Sequence, residues 1–171
     1  MAGRGGRDDN VPMTVLSQRS LTDTVRSVVV AVLAVVQVVV SGLSSTGQLG
    51  RPIGVVANVY ATPLLAAGWA FAIWIPIYLG FLSYAGFQLL PAQRRLPVHR
   101  LTGWWLAATA VFNTGWVLAF AAGWLPLAEV LIIALLVSLA VAFGRLSRTP
   151  AAGVVERIVL RGTVAVYTGW V

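Results

Sequence analysis

Residues 64–90 read LLAAGWAFAIWIPIYLGFLSYAGFQLL, a run without one charged side chain and rich in tryptophan, tyrosine and phenylalanine. About 20 apolar residues at roughly 1.5 Å each cross the hydrocarbon layer of a bilayer, so this run predicts a membrane-spanning helix. Pro76 lies inside it and predicts a kink. Working outward, residues 27–45, 101–122 and 126–146 form three more runs of the same character. The first is dominated by valine and alanine. Its β-branched content would favour a strand in water, but a lone run in lipid must close its backbone hydrogen bonds internally, which predicts helix. A cleaved signal peptide is the rival reading, because Ser41-Gly42-Leu43-Ser44-Ser45 supplies small residues at its end. The long charged tail before it and the spans after it favour a retained helix.

A fifth segment, residues 155–171, begins polar at Glu156, Arg157 and Arg161 and turns apolar from Gly162. Its apolar part is about half of what a spanning helix needs. No cap, glycine stop or flanking charge closes it, so it reads as the first half of a fifth span, and the sequence as a fragment of a longer protein. Residues 1–24 are polar, rich in glycine, arginine and aspartate, and without apolar periodicity, which predicts a disordered tail ahead of a transmembrane domain at 25–171. Residues 46–63 carry Gly47, Gly50, Pro52, Gly54, Asn58 and Pro63 and read as a broken linker. Residues 91–100, with Arg94, Arg95, His99 and Arg100, read as a solvated loop. Gly123-Trp124-Leu125-Pro126 reads as a tight turn, with Pro126 in the first turn of the next helix. The fold expected is all-α: a polytopic transmembrane helix bundle with four complete spans and half of a fifth.

Composition agrees. The chain is 58% hydrophobic and 10% charged, against about 25% charged in soluble domains, so it could not cover itself with a hydrated surface. Its twelve basic residues are all arginine, and five acids leave a net charge of +7. The arginines sit in short clusters between apolar runs, which is how a membrane protein uses them and not how a nucleic-acid binder does. Arg4, Arg7, Arg19 and Arg26 precede the first span, Arg94, Arg95 and Arg100 follow the second, and Arg145, Arg148, Arg157 and Arg161 follow the fourth. Only Arg51 falls on the other side. This alternation predicts a multi-pass protein with a cytoplasmic N-terminus, in the plasma (inner) membrane if the cell is bacterial.

Several chemistries drop out. Without cysteine there is no disulfide or thiolate metal site, and without lysine no Schiff base. His99 has no metal-ligating partners near it in sequence. No acid–base pair suggests catalysis, so the chain reads as a binder and not an enzyme. Glu129 is the one acid within apolar sequence, about one turn into the fourth span. It reads either as a carboxylate favoured by a helix N-terminus or as a polar group facing a ligand or proton.

The aromatic residues carry the functional signal. Of seven tryptophans, Trp69, Trp104, Trp105 and Trp124 fall near span ends, where an interfacial belt explains them. Trp74 and Trp116 lie deeper. Trp74, Tyr78 and Phe81 share one helical face, and Trp105, Phe112, Trp116 and Phe120 form a second stripe. Asn113 lies one turn from Trp116 at mid-membrane, where an unpaired amide is expensive. Such stripes serve packing more often than binding. Two of them facing each other, with an amide and tyrosine hydroxyls, would suit a flat, mostly apolar ligand.

These residues resemble the TspO/MBR superfamily, the tryptophan-rich sensory proteins related to the mitochondrial translocator protein. Trp74-x-x-x-Tyr78 is similar to that family's W-x-x-x-Y in span two, and Asn113-x-x-Trp116-x-x-x-Phe120 to its N-x-x-W-x-x-x-F in span three. Leu127-Ala128-Glu129-Val130 resembles its small-apolar-acidic stretch, and Tyr167-x-x-Trp170 its P-Y-x-x-W in the fifth helix. The chain departs from the family at residues 58–65, which hold one proline and no lysine, and at Val166, where the family has proline. These departures mark a divergent branch. The resemblance implies a five-helix bundle, often dimeric, that binds porphyrins, sterols or similar ligands, a porphyrin or heme-like group being ligand and not firm cofactor. By position it offers Trp74, Tyr78, Asn113, Trp116, Tyr167 and Trp170 as pocket residues. The alternative function is a small-molecule transporter with further helices, supported by Pro76 and Glu129.

Overall fold

The computed structural model describes residues 13–59 and 67–171, with side chains from residue 21 onward. Among these residues all regular structure is helical, with no strand. The helices are α1 (Met13–Ser45), α2 (Ile53–Val59), a 3₁₀ turn (Gly68–Ile73) leading into α3 (Trp74–Leu89), α4 (Pro97–Ala121) and α5 (Leu125–Ser147). A last rod follows, made of α6 (Val154–Glu156), a π turn (Arg157–Gly162) and α7 (Thr163–Trp170). Backbone angles stay helical at both of its internal joints. Four helices, Leu21–Ser45, Gly68–Leu89, Pro97–Ala121 and Leu125–Ser147, are long and apolar enough to cross a membrane.

α1 shows what solvent the fold was built for. It turns Val25, Val28, Val32, Val35 and Val39 outward, and it buries Asp23, Arg26, Ser27, Gln37 and Ser44 beside Val30 and Ala34. Both sets recur at three- and four-residue spacing, so the helix has two faces. In water the charged face would point out. Here the valines do, as a hydrocarbon surround requires.

The helix also corrects the expected tail of residues 1–24, since it already includes Met13–Thr24; residues 1–12 lie outside the described residues. The polar composition had a different cause. Asp23 holds Arg26 at 2.8 Å, one turn along, and pairs across to Arg100 of α4. Arg26 is 1% exposed and also donates to the Arg94 carbonyl. These charges are paired in the bundle instead of solvated.

Three other boundaries moved for local reasons. Helix α4 starts at Pro97, a residue suited to the first turn, so His99 and Arg100 are helical and not in a loop. His99 is 0% exposed, its ring lying 5.7 Å from that of Tyr84 and 6.2 Å from that of Phe87. Pro76 falls in the first turn of α3, where a missing N–H is cheap, and the change in winding comes just before it, from 3₁₀ to α at Ile73–Trp74. Glu156, read from sequence as part of the polar start of the fifth segment, is buried, accepting from Arg161 at 2.9 Å and from the Ala152 N–H at 3.0 Å. Arg161 also donates to the carbonyls of Leu146 and Thr149, closing the end of α5.

The tight turn is as expected. Gly123 has φ of 77°, its N–H reaches the Phe120 carbonyl at 3.0 Å, and the Trp124 N–H reaches that of Ala119 at 2.8 Å. This is a Schellman closure, and its left-handed residue is the one a glycine serves without strain. The turn lays α5 back along α4. Helix α4 also packs along α1, so it is the central element, and α3 and α7 complete the bundle against α1 and α5. Small residues Ala107, Ala110 and Ala142 are buried at these interfaces, letting helices approach closely where lipid supplies no hydrophobic drive.

Candidate functional site

Trp74 opens α3, so its indole stands at the point where 3₁₀ winding becomes α. Tyr78 comes one turn later and stacks on it, with centroids 5.4 Å apart and planes 27° apart. Across the bundle, Trp116 of α4 stacks on the same indole at 5.8 Å and 26°. From the last rod, Tyr167 meets Trp74 edge-on at 5.6 Å and Trp170 does so at 6.5 Å. Phe71 closes on Trp170 at 6.1 Å, and Phe120 on Trp116 at 5.7 Å. Three helices thus converge on one indole. Offset stacks and edge contacts of this kind contribute about 0.5–1.5 kcal/mol each beyond burial.

A polar chain runs behind the rings. The Asn113 Nδ2 donates to the Tyr78 hydroxyl at 3.2 Å, and the Tyr78 and Ser41 hydroxyls are 2.7 Å apart. The Gln37 Oε1 lies 3.5 Å from Asn113 Nδ2. Gln37 and Asn113 are both fully buried, and the Gln37 Nε2, Asn113 Oδ1 and Tyr167 hydroxyl have no partner.

Beside this cluster is a cavity of about 710 Å³, walled by Ser41, Gly42 and Ser45 of α1, by α2, and by Phe71, Trp74, Tyr78 and Trp116. Its lining is mostly apolar, and its size lies in the range of small-molecule sites, roughly 300–1,000 Å³. Residues 27–171 match the sequence model of a family described as TSPO-like protein, most of the chain. The chain belongs to the TSPO-like family. Comparison with curated proteins and with solved structures brings no match.

For a TSPO-like protein, then, a multi-pass helical membrane architecture and an aromatic-walled cavity occur together. Of the six residues named from sequence, Tyr78, Trp116, Tyr167 and Trp170 surround the indole of Trp74, and Asn113 joins them through the Tyr78 hydroxyl. Trp74, Tyr78 and Trp116 line the cavity, while Asn113, Tyr167 and Trp170 stand behind as a supporting layer. Glu129 does not join them: it is exposed on the first turns of α5 and outside the cavity lining. Its position near a helix N-terminus suffices to account for it. Trp69 and Trp124 are exposed, as anchors at span ends are. Trp105 is half-buried, with the Arg145 guanidinium 5.4 Å from its ring centroid.

The sequence reading missed Gln37 and Ser41. Gln37 is the only amide in the first apolar run, and an amide at mid-span is costly unless it has a partner, so a signal existed. Ser41 carried none. Serine is common in membrane helices, and only the approach of Tyr78 singles it out.

Proposed function

We propose that this TSPO-like protein binds a flat, mostly apolar small molecule, porphyrin- or sterol-like in shape, in the cavity beside Trp74, and that its role is sensory or regulatory. One observation supports the reading above all others. Rings from α3, α4 and α7 converge on Trp74, and one edge of that cluster is left open to a mostly apolar cavity. A purely structural cluster gains nothing from a space of that size, because rings facing a void forfeit their contacts. A planar ligand slid against Trp74 and Trp116 restores them. The cavity supplies burial and stacking, which suits holding a molecule more than transforming one.

Arginine placement supports a cytoplasmic N-terminus, which puts the Asp23–Arg100 end inside and the cavity towards the outer face. The test is quenching of tryptophan fluorescence by porphine, the uncharged porphyrin macrocycle, in the full chain in detergent or nanodiscs. Trp74→Phe and Trp116→Phe each weaken binding by about three- to tenfold, as loss of one good stacking partner does. Unchanged affinity and quenching in both variants would sink the pocket assignment.

A further inference from the structure

We propose that the cavity selects an uncharged flat ligand carrying a hydrogen-bond acceptor, such as a ring ketone, and that Ser41 is the residue that reads it. This rests on the cavity being the ligand site and says what that site prefers. Most hydroxyls on these helices are spent locally. Ser27, Ser83, Thr109, Thr114 and Ser138 each donate to a carbonyl of their own helix three or four residues back, the usual fate of serine and threonine in a helix. Ser41 makes no such bond among the described residues. Its one partner is the Tyr78 hydroxyl, and it lies on the cavity wall.

The order of donors decides what Ser41 offers. Asn113 Nδ2 points at Tyr78 and at the Gln37 Oε1, so its amide is held with the donor side toward both. Tyr78 accepts from Asn113, and in the proposed order it gives its one proton to Ser41 Oγ, 2.7 Å away, a pair in which either hydroxyl can donate. The Ser41 proton then has no acceptor among the described residues, and Ser41 lies on the cavity wall. A hydroxyl that already accepts is polarised into a better donor. Asn113, fully buried and outside the cavity lining, is a positioning residue: it acts through Tyr78 and Ser41 and not by touching the ligand.

Charge sets the second half of the preference. No described residue lining the cavity is ionisable apart from Tyr78. A carboxylate entering here would give up its hydration with no cation to replace it, a cost that one serine hydroxyl cannot offset. An uncharged carbonyl loses far less water and gains a charge-free hydrogen bond.

Three tricyclic probes of near-identical shape test this by tryptophan quenching on the full chain in nanodiscs: fluorene, 9-fluorenone and fluorene-2-carboxylate. The ketone binds about three- to tenfold tighter than the hydrocarbon, as one net hydrogen bond allows, and the carboxylate binds weaker than either. Ser41→Ala brings the ketone-to-hydrocarbon affinity ratio to about one, whereas Ser41→Thr keeps the wild-type ratio. Tyr78→Phe and Asn113→Leu shrink the ketone-to-hydrocarbon ratio, a readout that a loss of packing alone does not move. The carbonyl stretch of bound fluorenone lies at lower frequency in the wild type than in Ser41→Ala. Equal binding of fluorene and fluorenone, a preference that survives Ser41→Ala, or carboxylate binding as tight as the ketone's overturns the selectivity and leaves the pocket standing. Failure of fluorene, fluorenone and porphine alike removes the pocket itself.

Discussion

The two ends of this bundle solve the problem of polar atoms in a membrane in opposite ways. At the Asp23 end, charges are paired and large side chains are buried between the helices. Asp23 takes Arg26 and Arg100, Arg26 reaches the Arg94 carbonyl, and the Arg26 side chain lies against the backbone of Gly103. Tyr84, Gln88 and His99 pack behind, buried to the last atom that matters. At the Trp74 end, polar groups are neutral, strung in a chain from Gln37 to Ser41, and one side of the aromatic cluster stays open. The first end is a lock and the second a receptacle. Closure is the job of formal charges, whose pairing is worth most when dry, and selection is the job of neutral groups, which a ligand can engage without a large desolvation cost.

That contrast can be broken at several points. The largest effect is expected for Asp23→Ala, which strands the buried Arg26 guanidinium and lowers unfolding free energy by about 3–5 kcal/mol, measured by chemical unfolding in detergent. Fluorenone affinity of the folded fraction stays at the wild-type value; a fall would show the two ends to be coupled. Gly103→Val comes next. A Cβ there would sit 2.6 Å from Arg26 Cδ and 3.0 Å from its Nε, on a side chain pinned by Asp23 and the Arg94 carbonyl. The expected loss is about 1–3 kcal/mol, the usual cost of overpacking, seen as a lower Tm, and a Tm unchanged from wild type would mean that the lock is looser than its distances say.

Arg100→Gln should do less. Its side chain is 42% exposed, so its ion pair with Asp23 is screened by solvent, and such pairs contribute about 0–1 kcal/mol. A loss as large as that of Asp23→Ala would assign the burden to the wrong arginine. Smallest of all is Trp69→Phe. Trp69 is 83% exposed and outside the aromatic cluster, so both stability and porphine affinity stay within measurement error, surface changes being worth about 0.5 kcal/mol or less. A weakened affinity would extend the receptacle to the span end.

Much of this was legible in the chain itself. The four spans are apolar runs long enough to cross lipid, and no folding partner can change that. The turn at Gly123 follows from glycine's tolerance of left-handed φ, and the aromatic stripes follow from spacing along single helices. What failed to read correctly has a common physical cause. Asp23, Arg26, His99, Arg100 and Glu156 looked solvated because isolated charges in lipid are prohibitive; paired charges are not, and pairing joins residues up to 77 positions apart. Gln37 and Ser41 went unnoticed because their partners lie on α3 and α4.

By itself the sequence determined the solvent, the helices and which aromatic faces exist, since each of these depends on length, hydropathy and i, i+3, i+4 spacing within one segment. Only the tertiary structure decided which charges neutralise which, that Ser41 meets Tyr78, and that the ring cluster stops short of filling its space. Those are distances between helices, set by how side chains interlock across the bundle, and no single helix carries that information.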